Sequence, residues 1–424
     1  MVEKIRRTLE RERLVVPGEF IHVGLSGGPD SMALISALCT LSTELGFRLD
    51  AIHVEHGIRG TDSLRDAEFV KEYCTRKNIP LTNFSVNVPA RARKGTTLEE
   101  AARAARYECF QRALDRQPGK VALAHHLDDQ AETIVMMLLR GGGPRAMAGM
   151  DYQRGPYIRP MLDVTRAEIL TYLHERGIPY RYDATNGDSS YERNRIRMEL
   201  IPRLKAFNPN LSATLVRNAS VFREEDRYLD ERAGAFLRGH AGPETGGLTL
   251  NKRAFQLLPL VLQRRVLRLA AERLNILKDL TFEKVEESIL AVRDGRRSVQ
   301  WLRNRVFMVG RERCYLGMLP RTEPVPLTGQ TVIDLPGWRL IVVSPDGLRD
   351  AAARFWQPGD RIVKGGRTVK LKDELQKYEV WQRKTYPVIA RGSQVLWTVD
   401  HGSLEENSGM VLRIERQNDR EASI

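Results

Sequence analysis

The sequence predicts an α/β protein: a parallel sheet covered by helices, then a mainly helical segment, then a small mixed α/β segment. Three observations carry this reading. Between Phe20 and about Ala124, short apolar runs at Ile21 to Leu25, Ala51 to Val54, Leu81 to Val88 and Val121 to Ala124 alternate with helical stretches, the rhythm of a parallel sheet whose crossovers are helices. Beyond Pro202 the pattern changes to long, charged, amphipathic stretches, Leu211 to Leu237 and Arg253 to Leu274, interrupted by the Gly-rich segment His240 to Gly247. From about Thr331, short β-rich runs return at Thr331 to Leu335, Arg339 to Val343, Pro387 to Ala390 and Val395 to Val399. These shifts place domains at 1–205, 206–330 and 331–424.

A chain of 424 residues is too long for one typical core. Its 67 Lys plus Arg against 54 Asp plus Glu give a net charge of +13, a balance that commonly accompanies a polyanionic partner without identifying it. Cys39, Cys74, Cys109 and Cys314 are scattered, with no Cys-x-x-Cys pair. They read as free thiols in a reducing compartment, not as a zinc site, an iron–sulfur cluster or a disulfide framework. The charged, helix-like start from Met1 to Arg13 is unlike a secretory signal, and no apolar run is long enough to cross a bilayer. A cytoplasmic protein is expected.

The first strand runs into Ser26-Gly27-Gly28-Pro29-Asp30-Ser31 and then into the helix-like Met32 to Leu38. A strand that turns through glycines into a helix presents backbone N–H groups and the positive end of the helix dipole to an anion. The loop has no lysine, and neither a Walker-type nor a three-glycine dinucleotide pattern is present. Asp30 is either a carboxylate holding Mg2+ against nucleotide phosphates or an ordinary first-turn acid.

After the strand Val121 to Ala124 comes His125-His126-Leu127-Asp128-Asp129-Gln130-Ala131-Glu132-Thr133. A helix starting near Leu127 puts Asp129 and Glu132 on one face with His125 at its mouth. One Asp here suits an N-terminal cap; two histidines and three carboxylates in eight residues exceed what a cap requires. Carboxylates beside a nucleotide coordinate a metal, attract a cationic second substrate or take a proton from a nucleophile, and all three suit an amine. Two basic elements stay open between surface pairing and polyanion contact: Arg103 and Arg106 on the helix Leu98 to Tyr107, where Glu99 and Glu100 are alternative partners, and the run Asn186 to Arg197.

Together these residues resemble the tRNA(Ile)-lysidine synthases of the PP-loop, or N-type ATP pyrophosphatase, superfamily. The likeness takes in Ser26 to Ser31, His53-Val54-Glu55-His56-Gly57-Ile58-Arg59, Glu100 to Tyr107, His125 to Thr133 with Arg140-Gly141, Arg159-Pro160 and Asp183 to Arg197. It continues more weakly through Leu262 to Leu267, Pro358-Gly359-Asp360-Arg361 and Lys370-Leu371-Lys372. The resemblance implies an ATP-dependent carbon–nitrogen ligase. Such an enzyme adenylates the C2 oxygen of the wobble cytidine in a tRNA(Ile) with a CAU anticodon, releases pyrophosphate, and lets the ε-amine of L-lysine displace AMP.

The resemblance further implies that Ser26, Gly27, Gly28, Pro29, Asp30 and Ser31 bind ATP, with Asp30 on Mg2+, and that Asp129 and Glu132 hold lysine. Asp30, Arg106, His125, Asp129 and Arg195 would serve catalysis, Arg195 and Arg197 lying in the family's arginine-rich motif. The helical middle and the basic C-terminal segment would grip tRNA, and a homodimer is compatible with this scheme. Glu55 departs from the usual Asn or Asp, and Val399-Asp400-His401-Gly402 departs from the usual C-terminal ending. The rival within the superfamily is a tRNA thiolase, which needs reactive cysteines. An amidotransferase lacks its glutaminase motif here, and an idle RNA-binding protein would not need the loop and the acidic pair intact.

Overall fold

A computed structural model of the chain describes residues 1–57, 61–91, 97–141, 143–181, 192–277, 280–302, 305–320, 322–327, 330–343, 348, 350–401 and 411–416; of the motifs above, Ile58, Arg59, Asp183 to Tyr191 and Gly402 lie outside them. The chain divides into two compact units, Met1–Asp226 and Arg227–Ile424.

In the first unit the order is α1 Val2–Arg11, β1 Phe20–Gly24, α2 Pro29–Leu45, β2 Arg48–Glu55, α3 Thr61–Arg76, β3 Leu81–Ser85, α4 Val88–Arg91, α5 Leu98–Arg116 and β4 Lys120–Ala122. Then come α6 Leu127–Arg140, α7 Pro144–Met147, β5 Gln153–Arg154, β6 Tyr157–Ile158, α8 Arg166–Glu175, α9 Glu192–Arg195, a π-helical turn Ile196–Leu200 and α10 Ile201–Phe207. The expected strand through Val88 stops at Ser85, because Val88 opens a short helix carrying Pro89 in its first turn. The sheet order is β3-β2-β1-β4-β6-β5, parallel except for β5 against β6.

Both faces are covered, as a parallel sheet requires. Leu34, Leu38, Ile169 and Leu173 pack with Ile21 and Val23 in one core, and Phe110, Ala105 and Val88 pack with Ile52, Val121 and Leu123 in another. The chain builds outward from β1 to β2 and β3, then returns to place β4 on the other side of β1. In such sheets ligands bind beyond the carboxyl ends of the strands where the order reverses, and the two chemistry-bearing loops follow β1 and β4.

α11, Leu211–His240, spans the boundary in sequence. The second unit continues with β7 Ala241–Glu244, β8 Gly247–Asn251, α12 Lys252–Gln256, α13 Leu260–Arg273, α14 Phe282–Asp294, β9 Ser298–Leu302, β10 Arg305–Val309 and β11 Arg313–Met318. The predicted helix Arg253 to Leu274 is broken at Pro259, which caps α13. The antiparallel sheet β7-β8-β11-β10-β9 is absent from the sequence reading of the helical segment. Its strands form one face of a core completed by Val266, Leu267 and Val292 of the helices, so the segment is helical on one layer only.

The remaining strands are β12 Val325–Pro326, β13 Gln330–Leu335, β14 Trp338–Val343, β15 Ala352–Phe355, β16 Arg361–Lys364, β17 Arg367–Lys370, β18 Pro387–Arg391, β19 Gln394–Thr398 and β20 Val411–Arg416, with short helices α15 Leu371–Glu374 and α16 Val380–Lys384. They form the sheets β12-β15-β18-β19-β16-β17 and β13-β14-β20. Asp360 of the Pro-Gly-Asp-Arg motif is buried and takes two bonds from Arg354, at 2.7 and 2.8 Å. Its neighbours Arg361, Lys364, Arg367 and Lys370 stay exposed on the β16–β17 hairpin. Among the described residues no helix is long and apolar enough to cross a membrane.

Candidate active site

A cleft of about 490 Å³ opens at the carboxyl ends of β1, β2 and β4. One wall is the Ser26–Ser31 turn. Gly27 has φ +84°, and a Cβ there would come within 3.3 Å of Val70 and 3.4 Å of Phe69, so a side chain is strained by conformation and crowded by its neighbours. The turn is held by Ser31, whose hydroxyl donates to the Gly28 carbonyl at 3.0 Å and accepts from the Ser26 N–H at 3.1 Å. Pro29 opens α2 and no side chain caps it, which leaves the helix's first amides to a ligand.

The charge missing from the loop comes from elsewhere. Arg106, Arg166 and Arg181 line the cleft. Arg166 donates to both Asp30 oxygens, at 3.0 and 3.1 Å. Arg181 donates its side chain to Asp66 at 2.9 Å and its backbone N–H to the Gly27 carbonyl at 2.9 Å. On α5 the two arginines part company: Arg106 faces the cleft, whereas Arg103 lies over the Tyr107 ring at 5.2 Å.

The opposite wall is apolar, with Ile52, Val54, Phe110 and Leu123. His53 lies beside it, its Nδ1 2.8 Å from the Leu25 carbonyl. A carbonyl only accepts, so Nδ1 carries the proton, and burial lowers the pKa of this imidazole.

At the start of α6 the cap and the chemistry share residues. His126 caps the helix: its Nδ1 accepts from the Asp129 N–H at 3.3 Å, while Asp129 Oδ2 accepts from the His126 N–H at 3.0 Å. His126 Nε2 lies 3.8 Å from Asp30 and 3.5 Å from Asp129, which places one ring between the glycine turn and the acidic pair. His125 lines the cleft. Burial pushes its pKa down to about 3 against the upward pull of Asp129, and the charges of Arg159, Arg193 and Arg106 act in the same direction as burial, so the ring is neutral at physiological pH.

Asp129 and Glu132 are buried side by side, and both meet arginines from a distant stretch of the chain. Arg193 donates to Glu132 at 2.9 Å and to Asp129 at 3.0 Å. Arg197 donates to Glu132 at 2.5 and 3.0 Å and to Asp129 at 3.2 Å. Burial alone would raise the Asp129 carboxyl, but His126 and Arg193 hold it below its usual value. Arg195 is turned away from them: it is exposed and lines a separate cavity of about 300 Å³ with Leu139, Ile196 and Arg203.

The structure therefore brings Ser26, Gly28, Pro29, Asp30, Ser31, Arg106 and His125 to one cleft and sets Asp129 beside it, while Arg195 stands apart. Sequence reasoning missed Arg166, Arg181 and the capping role of His126, and left open which of Arg193, Arg195 and Arg197 faces inward. Only Arg166 had a local signal: Thr165-x-x-Glu168 marks a helix start and puts Arg166 in its first turn.

This loop at this switch point defines an ATP-binding α/β domain of the pyrophosphatase kind, and residues 1–204 match the family described as PP-loop domain. Residues 352–411 match the TilS substrate C-terminal domain. Among relatives called tRNA(Ile)-lysidine synthase, that of Solibacter usitatus is 32% identical over 441 residues, covering 94% of this chain and 98% of the relative. Those of Geobacillus kaustophilus and Caldanaerobacter subterraneus are each 38% identical, over 65% and 55% of this chain. These two alignments span only 60% and 50% of the relatives' own lengths. The chain belongs to the tRNA(Ile)-lysidine synthase family.

Proposed function

We propose that the protein ligates L-lysine to C2 of the wobble cytidine in a CAU-anticodon tRNA(Ile), in two steps that consume ATP. The observation that carries this reading is the adjacency of an anion-binding turn and a buried acidic pair, with the His126 ring between them. In the first step the cytidine C2 oxygen attacks the α-phosphate and pyrophosphate leaves. Loop amides, the α2 N-terminus, Arg106, Arg166 and Arg181 take up the phosphate charge. In the second step the lysine ε-nitrogen attacks C2, and the former carbonyl oxygen departs with AMP.

Free lysine is an ammonium with a pKa of about 10.4, so it must shed a proton before it attacks. Asp129 and Glu132 would bind the cation and accept that proton. His125, kept neutral, offers a hydrogen bond rather than a competing positive charge. Asp30, whose two oxygens accept from Arg166, is the carboxylate that would hold Mg2+, an ion that usually takes one or two carboxylates and completes its shell with phosphates and water. Bound there, Mg2+ would neutralise the phosphates. Among the described residues no cluster of three or more His, Cys, Asp or Glu could hold a metal, so the nucleotide would supply most of the ion's ligands.

The thiols favour amine transfer over thiolation. Burial pushes Cys74 up to about 11 and Cys314 up to about 12, so neither is a thiolate at neutral pH. We assign the helical segment 206–330 and the exposed basic β16–β17 hairpin to tRNA binding, and place the reaction in the cytoplasm. Incubation with labelled lysine, ATP, Mg2+ and tRNA transcripts tests the assignment. Asp30→Ala abolishes incorporation, and Glu132→Ala impairs use of lysine more than binding of tRNA; unchanged incorporation by either variant removes that residue's role.

A further inference from the structure

Every oxygen of the carboxylates assigned to lysine already has a partner. Asp129 Oδ1 accepts from both arginines and Oδ2 from the His126 N–H, while Glu132 Oε1 accepts from Arg197 and Oε2 from Arg193 and Arg197. Two carboxylates facing two guanidiniums are already balanced in charge. An ammonium pushed in beside them meets like charges in a buried setting, a costly arrangement.

We infer that Arg193 and Arg197 are a gate on the lysine site, closed on Asp129 and Glu132 until a nucleotide phosphate in the neighbouring cleft draws Arg197 away. This rests on the reading of Asp129 and Glu132 as the lysine site. The two sites are in electrostatic reach: the charge of Asp30, a cleft residue, acts on Arg197. The segment that carries Arg197 also offers a place for a change of register. Arg197 lies within the π-helical turn Ile196–Leu200, between α9 and α10. A π turn holds one residue more than an α turn over the same hydrogen-bonded span, so a one-residue change of register swings Arg197 around the helix axis without unfolding its flanks. The incoming anion thus frees the acidic pair, and lysine is admitted after ATP, in the order the chemistry requires.

Calorimetric titration of L-lysine into the full chain tests the gate, first with protein alone and then with Mg2+ and an ATP analogue that cannot be cleaved between the α and β phosphates. Wild-type protein should bind lysine about tenfold more tightly in the second state, a coupling of ordinary size. Arg197→Gln should bind lysine alone about tenfold more tightly than wild type does and lose most of the state dependence. Equal wild-type affinity in the two states overturns the gate, and that comparison needs no variant to fold. Weaker binding by free Arg197→Gln, with its melting temperature kept, also overturns it, because the arginine would then hold lysine rather than bar it. If wild-type protein incorporates lysine into tRNA yet shows no coupling, the gate alone falls; if it neither binds nor incorporates lysine, the functional reading falls with it.

Discussion

Gly27 and the Asp129/Glu132 pair represent two kinds of candidate site residue, one fixed by backbone and one by charge. At φ +84° and with Val70 3.3 Å from any Cβ, Gly27→Ala should cost about 1–2 kcal/mol for the left-handed conformation alone and displace the amides that face phosphate. The expected result is a fall in ATP affinity larger than any fall in melting temperature explains; unaltered nucleotide binding would show that the turn does not hold phosphate. Both Gly27 and the acidic pair were legible in the sequence, because a glycine turn between strand and helix and a spacing of three on a helix are local patterns. Arg193 and Arg197 were not assigned to that pair. Their partners stand more than 60 positions earlier in the chain, and no local pattern distinguishes them from Arg195, which faces the other way.

The strands and helices of the first unit follow from their apolar runs, and the order of the sheet brings β1 and β4 side by side. The antiparallel sheet of the second unit was not legible: Ser298–Leu302, Arg305–Val309 and Arg313–Met318 are short and sit between charged turns, and only the core they share with α13 and α14 fixes them. A polar pair also ties the first sheet together. His22 and Asp50 are register partners on β1 and β2, with Nδ1 2.7 Å from the carboxylate and Nε2 2.8 Å from the Gln117 carbonyl. Both ring nitrogens face acceptors, which favours the imidazolium. Burial alone pulls its pKa down, but these bonds and the charge of Asp50 raise it above the ordinary value. A raised folded pKa stabilises fully below the unfolded value, near 6.5, and the contribution is lost as pH rises through the folded one. Denaturant titrations from pH 5.5 to 9 should show wild type losing its advantage over Asp50→Asn as pH rises; an advantage that grows with pH would contradict the charged pair.

The chain as a whole combines a candidate ATP site in one unit with an exposed basic hairpin in the other and a net charge of +13. Phosphate contacts release counterions, so affinity for tRNA should fall steeply between low and moderate salt; a flat response would rule out binding dominated by those contacts. The likeness to tRNA(Ile)-lysidine synthases extends over 94% of the chain, and the chemistry proposed for it makes a statement about a single atom. The oxygen on C2 of the wobble cytidine becomes the bridge to AMP and leaves with it. A tRNA substrate carrying heavy oxygen at that position, incubated with ATP, Mg2+ and lysine, decides the matter by mass spectrometry of both products. We expect AMP to carry the label in its phosphate and the modified nucleoside to gain lysine and lose the labelled oxygen to AMP. Label retained in the RNA, with AMP unlabelled, would contradict adenylation of C2 and the mechanism built on it.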